Sequence, residues 1–132
     1  MNIGSIPKKW ARLTPDSEAV IDTSTGQRIN YADFDYLIRK LANGLLDLGL
    51  EKGDRVAILS QNSIENIATF YACGRVGLIA QPMNWRLSTP ELVRIIGNGT
   101  PKVLISGDAL AEEKTHLEQQ DTSIQYWFEK IS

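Results

Sequence analysis

The chain has 132 residues, with 14 Lys+Arg against 16 Asp+Glu and a formal net charge of −2, so it lacks the basic excess typical of nucleic-acid binding. Apolar residues make up 42% and charged residues 23%, which excludes a disordered or collagen-like chain; one cysteine (Cys73) and one histidine (His116) exclude a disulfide framework and a Cys/His zinc set. Runs such as Val56–Leu59 and Val103–Ile105 fall far short of the roughly 18 apolar residues of a membrane span, and Met1–Trp10 carries its cations after its apolar residues, the reverse of a secretory signal. The expectation is a soluble, cytoplasmic protein with no membrane span, built as one unit over residues 1–132 with no internal domain boundary.

Ile6, Trp10 and Leu13 fall at helical spacing between Ser5 and Leu13, and Pro15 stops that helix. Ala19–Ile21 and Arg28–Ile29 predict two short strands around the Thr23-Ser24-Thr25-Gly26 turn. Asn30 is a helix cap with Asp33 in the first turn, and Phe34, Leu37, Ile38, Leu41, Leu45 and Leu48 form one apolar stripe ending at Gly49. After the turn Lys52-Gly53-Asp54, Arg55–Ser60 has the near-continuous apolar character of a strand buried on both faces of a parallel sheet. Asn62-x-x-Glu65 has the form of a capping box opening a helix that ends near Gly77. Leu78–Pro82 predicts a strand. Ser88-Thr89-Pro90-Glu91 is a second capping box, with Leu92, Ile95 and Ile96 as its helix's apolar face. Lys102–Ser106 predicts a strand, Asp108 caps a polar helix to about Gln119, and Ile124–Phe128 closes the series. Short apolar strands alternating with amphipathic helices predict an α/β fold: a partial doubly wound, mainly parallel sheet with flanking helices, preceded by a helix and a β-hairpin.

Few side chains suggest chemistry. Gly97-Asn98-Gly99-Thr100-Pro101-Lys102 has phosphate-loop composition, but its glycines follow a helix and precede a strand, the wrong polarity for amides to point at a phosphate. A helix end leading into a turn is the simpler reading. His116, among Lys114, Thr115 and Glu118, fits a solvated helix face, as do Glu112, Glu113 and Lys114. Cys73 beside Gly74 fits a small packing residue, and Asp33 and Asp35 diverge on a helix rather than forming a carboxylate pair. Asn84-Trp85-Arg86-Leu87 stands apart. It follows the carboxyl end of a predicted parallel strand, where open α/β sheets bind ligands. Arg86 can fork onto a phosphate and Trp85 can stack; equally, Trp85 packs, Leu87 anchors the loop and Arg86 is a surface residue.

Several segments, in order and spacing, resemble the start of the adenylate-forming (AMP-dependent synthetase/ligase) superfamily. They are Pro15-Asp16-x-x-Ala19, Asn30-Tyr31-x-Asp33-Phe34, Gly49-Leu50-x-Lys52-Gly53-Asp54-Arg55-Val56-Ala57-Ile58, Asn62-x-x-Glu65, Tyr71–Gly77, Gln81-Pro82-Met83-Asn84-x-Arg86-Leu87, Glu91-Leu92 and Lys102–Ile105. The Asn-x-Arg-Leu form is most similar to the acyl-CoA synthetase branch. The resemblance covers roughly residues 15–106.

It implies that the chain is the N-terminal portion of the large domain of a longer fatty-acid-type ligase. Such enzymes use ATP and Mg to convert a small carboxylic acid to an acyl-adenylate, then pass the acyl group to CoA. The family's phosphate loop, nucleotide contacts, Mg-site acid and catalytic lysine lie beyond residue 132, so no catalytic or metal-binding residue is carried onto this chain. Arg86 is placed near the CoA nucleotide phosphate. The chain alone is expected to bind no ATP, Mg or CoA, to be inactive, to need the remainder of the ligase as partner, and to self-associate without it. Two alternatives stay open: a stand-alone α/β interaction or regulatory module derived from such a ligase, and the start of an adenylation domain that loads a carrier protein.

Overall fold

The computed structural model describes residues 2–129. The chain forms two compact units: one of residues up to Lys52 with Ser63–Leu78, the other of Gly53–Asn62 with the residues from Ile79 onward.

The first unit opens on a 3-10 turn at Ile3–Ser5 and helix α1 (Ile6–Leu13), with Pro7 in its first turn where no hydrogen bond is lost. Strands β1 (Glu18–Ile21) and β2 (Arg28–Asn30) pair antiparallel. Their turn is held by Asp22, whose carboxylate accepts from the Ser24 amide (2.9 Å) and hydroxyl (2.6 Å). Those bonds favour the ionised form and lower its pKa. Helix α2 (Tyr31–Asp47) begins as expected: the Asn30 side chain accepts from the Asp33 amide at 2.8 Å. Its stripe is buried through Phe34, Ile38, Leu41 and Leu45.

Helix α3 (Ile64–Arg75) supplies the other half of this core, with Ile64, Ala68 and Ala72 against Phe34, Ile38, Leu41 and Ala42, and Phe34 meeting Tyr71 edge-on at 5.9 Å. Its cap differs from the sequence expectation by one residue. Ser63, not Asn62, holds the extended conformation and accepts from the Asn66 amide at 3.1 Å, so Glu65 lies in the first turn without closing a box with Asn62. A serine hydroxyl beside an asparagine offers two cap candidates, and only the backbone chooses between them.

The second unit is a four-stranded parallel sheet of order β4-β3-β5-β6, from β3 (Arg55–Leu59), β4 (Ile79–Pro82), β5 (Val103–Ser106) and β6 (Tyr126–Glu129). Helix α4 (Thr89–Gly99) connects β4 to β5 and opens on the expected capping box between Ser88 and Glu91. Between β5 and β6 the expected Asp108-capped helix divides. Asp108–Leu110 is a 3-10 turn, and helix α5 (Ala111–Glu118) follows without a side-chain cap. Leu110, buried at the junction, anchors the tighter turn. Ala57, Leu59 and Leu104 on one sheet face pack with Leu92 and Ile96 of α4, Leu117 of α5, Met83, Leu110 and Ile124. Val56, Ile58 and Val103, directed to the other face, are buried too, as the continuous apolar strands predicted. The α/β class, the parallel sheet and the preceding helix and hairpin agree with the sequence reading.

Candidate functional site

The register aligns the carboxyl ends of all four parallel strands along one edge: Ile58 pairs with Pro82, Leu59 with Ser106, and Ser106 with Glu129. From β3 the chain moves to β4 on one side, then returns to β5 on the other. That reversal is the topological switch point at which open α/β sheets hold ligands. At the switch the two strand ends press together. Gly107 donates its amide to the Leu59 carbonyl at 3.0 Å, and a Cβ at position 107 would lie 2.8 Å from Ser60 Oγ.

Beside it lies the Met83–Ser88 loop. The Met83 amide continues the ladder to the Ile58 carbonyl at 2.9 Å. Asn84 then bends the chain: its side-chain oxygen accepts from the Arg86 amide (3.0 Å) and its carbonyl from the Leu87 amide (3.1 Å). Met83 is buried, and Trp85 and Leu87 pack partly buried against this unit's core. Arg86 is exposed, its guanidinium carbon 4.9 Å from the Trp85 ring centroid. Among the described residues that guanidinium makes no ion pair, so its N–H groups remain available to an incoming anion. The packing reading of the loop therefore holds for Trp85 and Leu87, and Arg86 is at the surface. Trp85 and Leu87 are anchors, and the same Trp85 ring orients an exposed cation by a cation–π contact.

The phosphate-loop-like segment is a helix end. Helix α4 runs through Gly97 and Gly99, and the left-handed residue that closes it is Thr100 (φ 49), whose amide donates to the Ile96 carbonyl at 2.8 Å. Gly99 serves packing, because a Cβ there would stand 2.2 Å from Gln81 Oε1. An open polar cavity of about 280 Å³ at this edge is lined by Asp54, Arg55, Asn98, Thr100 and Lys102, with Lys102 Nζ paired to Asp54 at 3.1 Å. It sits at the amino ends of the strands, where helix carbonyls, not amides, face the opening.

The remaining candidates separate. His116 is exposed on α5. Cys73 is buried, and burial pushes its thiol up to about 12, far from a nucleophile's range. Lys114 departs from a simple solvated face: it pairs with Glu118 at 2.9 Å and Glu129 at 3.5 Å, and chiefly the Glu118 hydrogen bond raises its pKa. Asp33 and Asp35 diverge as expected, but Asp35 has a partner with no local sequence signal. Arg75 reaches it at 2.6 Å and donates from Nε to the Gly4 carbonyl at 2.8 Å, tying the N-terminal turn to α2 and α3. The 40- and 71-residue separations are why sequence reading missed it. Among the described residues no group of three or more His, Cys, Asp or Glu converges as a metal set, and no helix is long and apolar enough to cross a membrane.

The family model described as AMP-binding enzyme matches residues 7–130. The chain is 39% identical over 106 residues to the long-chain-fatty-acid–CoA ligase FadD13 of Mycobacterium tuberculosis, covering 80% of this chain and 21% of that protein. It is 37% identical over 110 residues to a feruloyl-CoA synthase of an Amycolatopsis species, covering 83% of this chain and 22% of that protein. An inhibitor-bound crystal structure of the N-terminal domain of FACL13 from Mycobacterium tuberculosis superposes with a TM-score of 0.91 at 34% identity, covering 98% of this chain and 33% of that one. The chain thus spans about a fifth of the length of the curated relatives it matches. With these likenesses and the parallel sheet, the chain belongs to the AMP-binding enzyme family.

Proposed function

We propose that this chain is the N-terminal portion of the large domain of an ATP-dependent acyl-CoA ligase, an acid–thiol ligase of the cytoplasm. The observation that carries the reading is the likeness over four-fifths of the chain to proteins named as CoA ligases and CoA synthases. The whole protein would use ATP and Mg to activate a small carboxylic acid as its acyl-adenylate and transfer the acyl group to the CoA thiol. This portion contributes scaffold: its caps, turns and buried strands build the start of the sheet, and the remainder of the ligase chain is its partner. ATP and Mg handling are assigned to the remainder of the ligase chain.

CoA is different. Its nucleotide end carries phosphates, and Arg86 offers an exposed guanidinium braced on Trp85 at the carboxyl edge of the sheet. We assign Arg86 to that phosphate. The test uses the natural polypeptide that carries this sequence, supplied with carboxylic acid, ATP, Mg and CoA. Arg86→Ala is expected to raise the KM for CoA by roughly 10- to 100-fold, the loss of a charge-assisted hydrogen bond, and to affect carboxylate-dependent ATP–pyrophosphate exchange far less. Lost exchange with an unchanged KM for CoA would remove Arg86 from the CoA site. Absence of any thioester product would remove the ligase reading itself. Residues 1–132 alone are expected to show no exchange above a no-enzyme blank.

A further inference from the structure

Trp85 and Arg86 are neighbours in sequence, and in a regular strand such neighbours point to opposite faces. The turn after β4 removes that separation. The Asn84 carbonyl accepts from the Leu87 amide at 3.1 Å, which closes a four-residue turn with Trp85 and Arg86 at its centre, and the Asn84 side-chain oxygen fixes the Arg86 amide at 3.0 Å. Trp85 packs half-buried against the core of its unit, so its ring has a fixed place. Arg86 is exposed and, among the described residues, has no carboxylate partner. Its guanidinium carbon lies 4.9 Å from the Trp85 ring centroid. An exposed arginine samples many rotamers, and ordering it when a ligand arrives weakens binding. A ring contact restrains the cation in advance without tying its N–H groups to a carboxylate.

We infer that Trp85 is a positioning residue for CoA: its ring holds the Arg86 guanidinium in the orientation that receives a phosphate, and it sets CoA affinity through Arg86 rather than by touching CoA. The inference rests on the assignment of Arg86 to the CoA phosphate. What matters at position 85 is then the aromatic face and not apolar bulk alone. A phenylalanine keeps a face that attracts the cation, whereas a leucine still packs on the core but offers none.

The experiment is a double-mutant cycle in the natural polypeptide that carries this sequence, with CoA as the varied substrate. Trp85→Leu is expected to raise the KM for CoA roughly 2- to 5-fold, the worth of an exposed cation–π contact, with a far smaller change in kcat. Trp85→Phe should stay near wild type. In the Arg86→Ala background Trp85→Leu should raise the KM no further, because the residue through which it acts is gone. A second readout needs no turnover: CoA should shield Arg86 from phenylglyoxal, measured by mass spectrometry of its peptide, and at the same CoA concentration should shield it less in Trp85→Leu. Three results would overturn the inference and leave the Arg86 assignment standing. One is a wild-type KM for CoA in Trp85→Leu. Another is an equal rise with and without Arg86, which would mean that Trp85 meets CoA itself or shapes the loop. The third is a KM in Trp85→Phe as high as in Trp85→Leu, which would make packing volume the cause. An unchanged KM for CoA in Arg86→Ala, or no shielding of Arg86 by saturating CoA in the wild type, would instead remove the Arg86 assignment and the role of Trp85 with it.

Discussion

Replacing Gly4 with alanine tests the long-range tie at the N-terminus. A Cβ at position 4 would lie 2.2 Å from the Arg75 amide nitrogen and 2.5 Å from both Arg75 Cα and the Tyr71 carbonyl oxygen. These are backbone atoms of α3 and cannot yield as a flexible side chain would, so the N-terminal turn must lift away. Lifting breaks the Arg75 Nε bond to the Gly4 carbonyl (2.8 Å) and the Asn2 Nδ2 bond to the Arg75 carbonyl (3.3 Å). The first, from a cation, is worth roughly 1.5–3 kcal/mol, and the second, neutral and exposed, about 0.5–1 kcal/mol. Restricting the unfolded chain by a Gly→Ala change offsets about 0.4–1 kcal/mol of that. A net loss of about 1–3 kcal/mol is expected. Urea unfolding of wild type and Gly4→Ala reads it as a shift in midpoint. Brief tryptic digestion reads the local part, because a lifted turn exposes the bonds after Lys8 and Lys9. Arg75 retains its bond to Asp35, so the core of α2 and α3 should stay folded. Coincident urea curves together with unchanged cleavage would refute the account, since they would mean the turn does not rest on α3.

Leu41 is buried between α2 and α3, so Leu41→Ala should lower stability by about 2–5 kcal/mol in denaturant melts, whereas Asn30→Ala, which removes only a cap, should lower it by roughly 0.5–2 kcal/mol. A thiol reagent at pH 8 should leave Cys73 unmodified in the native protein and label it fully in denaturant; equal rates would show that the helix does not bury it. Burial raises this thiol from 9.0 to about 12, so the folded state holds its proton where the unfolded chain has lost it. The contribution to stability is therefore complete below pH 9 and is lost as pH climbs toward 12, which melts of wild type and Cys73→Ala across that window can check.

Periodicity and end signals in the sequence determined most of the local structure. The stripe from Phe34 to Leu48, the Asn30 and Ser88 caps and the apolar strands around Val56 and Val103 all rest on interactions within a few residues, and the structure agrees with each. Strand alternation with amphipathic helices likewise determined the parallel class, because a parallel pair requires a crossover. What lay between neighbouring options, or far apart in the chain, only the tertiary structure decided. Ser63 and Asn62 can both cap a helix, and the chosen cap follows the approach of the backbone. Two glycines suggested a helix end before Thr100, yet α4 runs on through them, because Gly99 closes against Gln81 and leaves the left-handed turn to Thr100. The strand order β4-β3-β5-β6, and with it the switch point and the position of Arg86, depends on pairing between strands more than 20 residues apart, which no local pattern encodes. The Asp35–Arg75–Gly4 tie has the same origin: an ion pair formed across a fold leaves no period in the sequence that forms it.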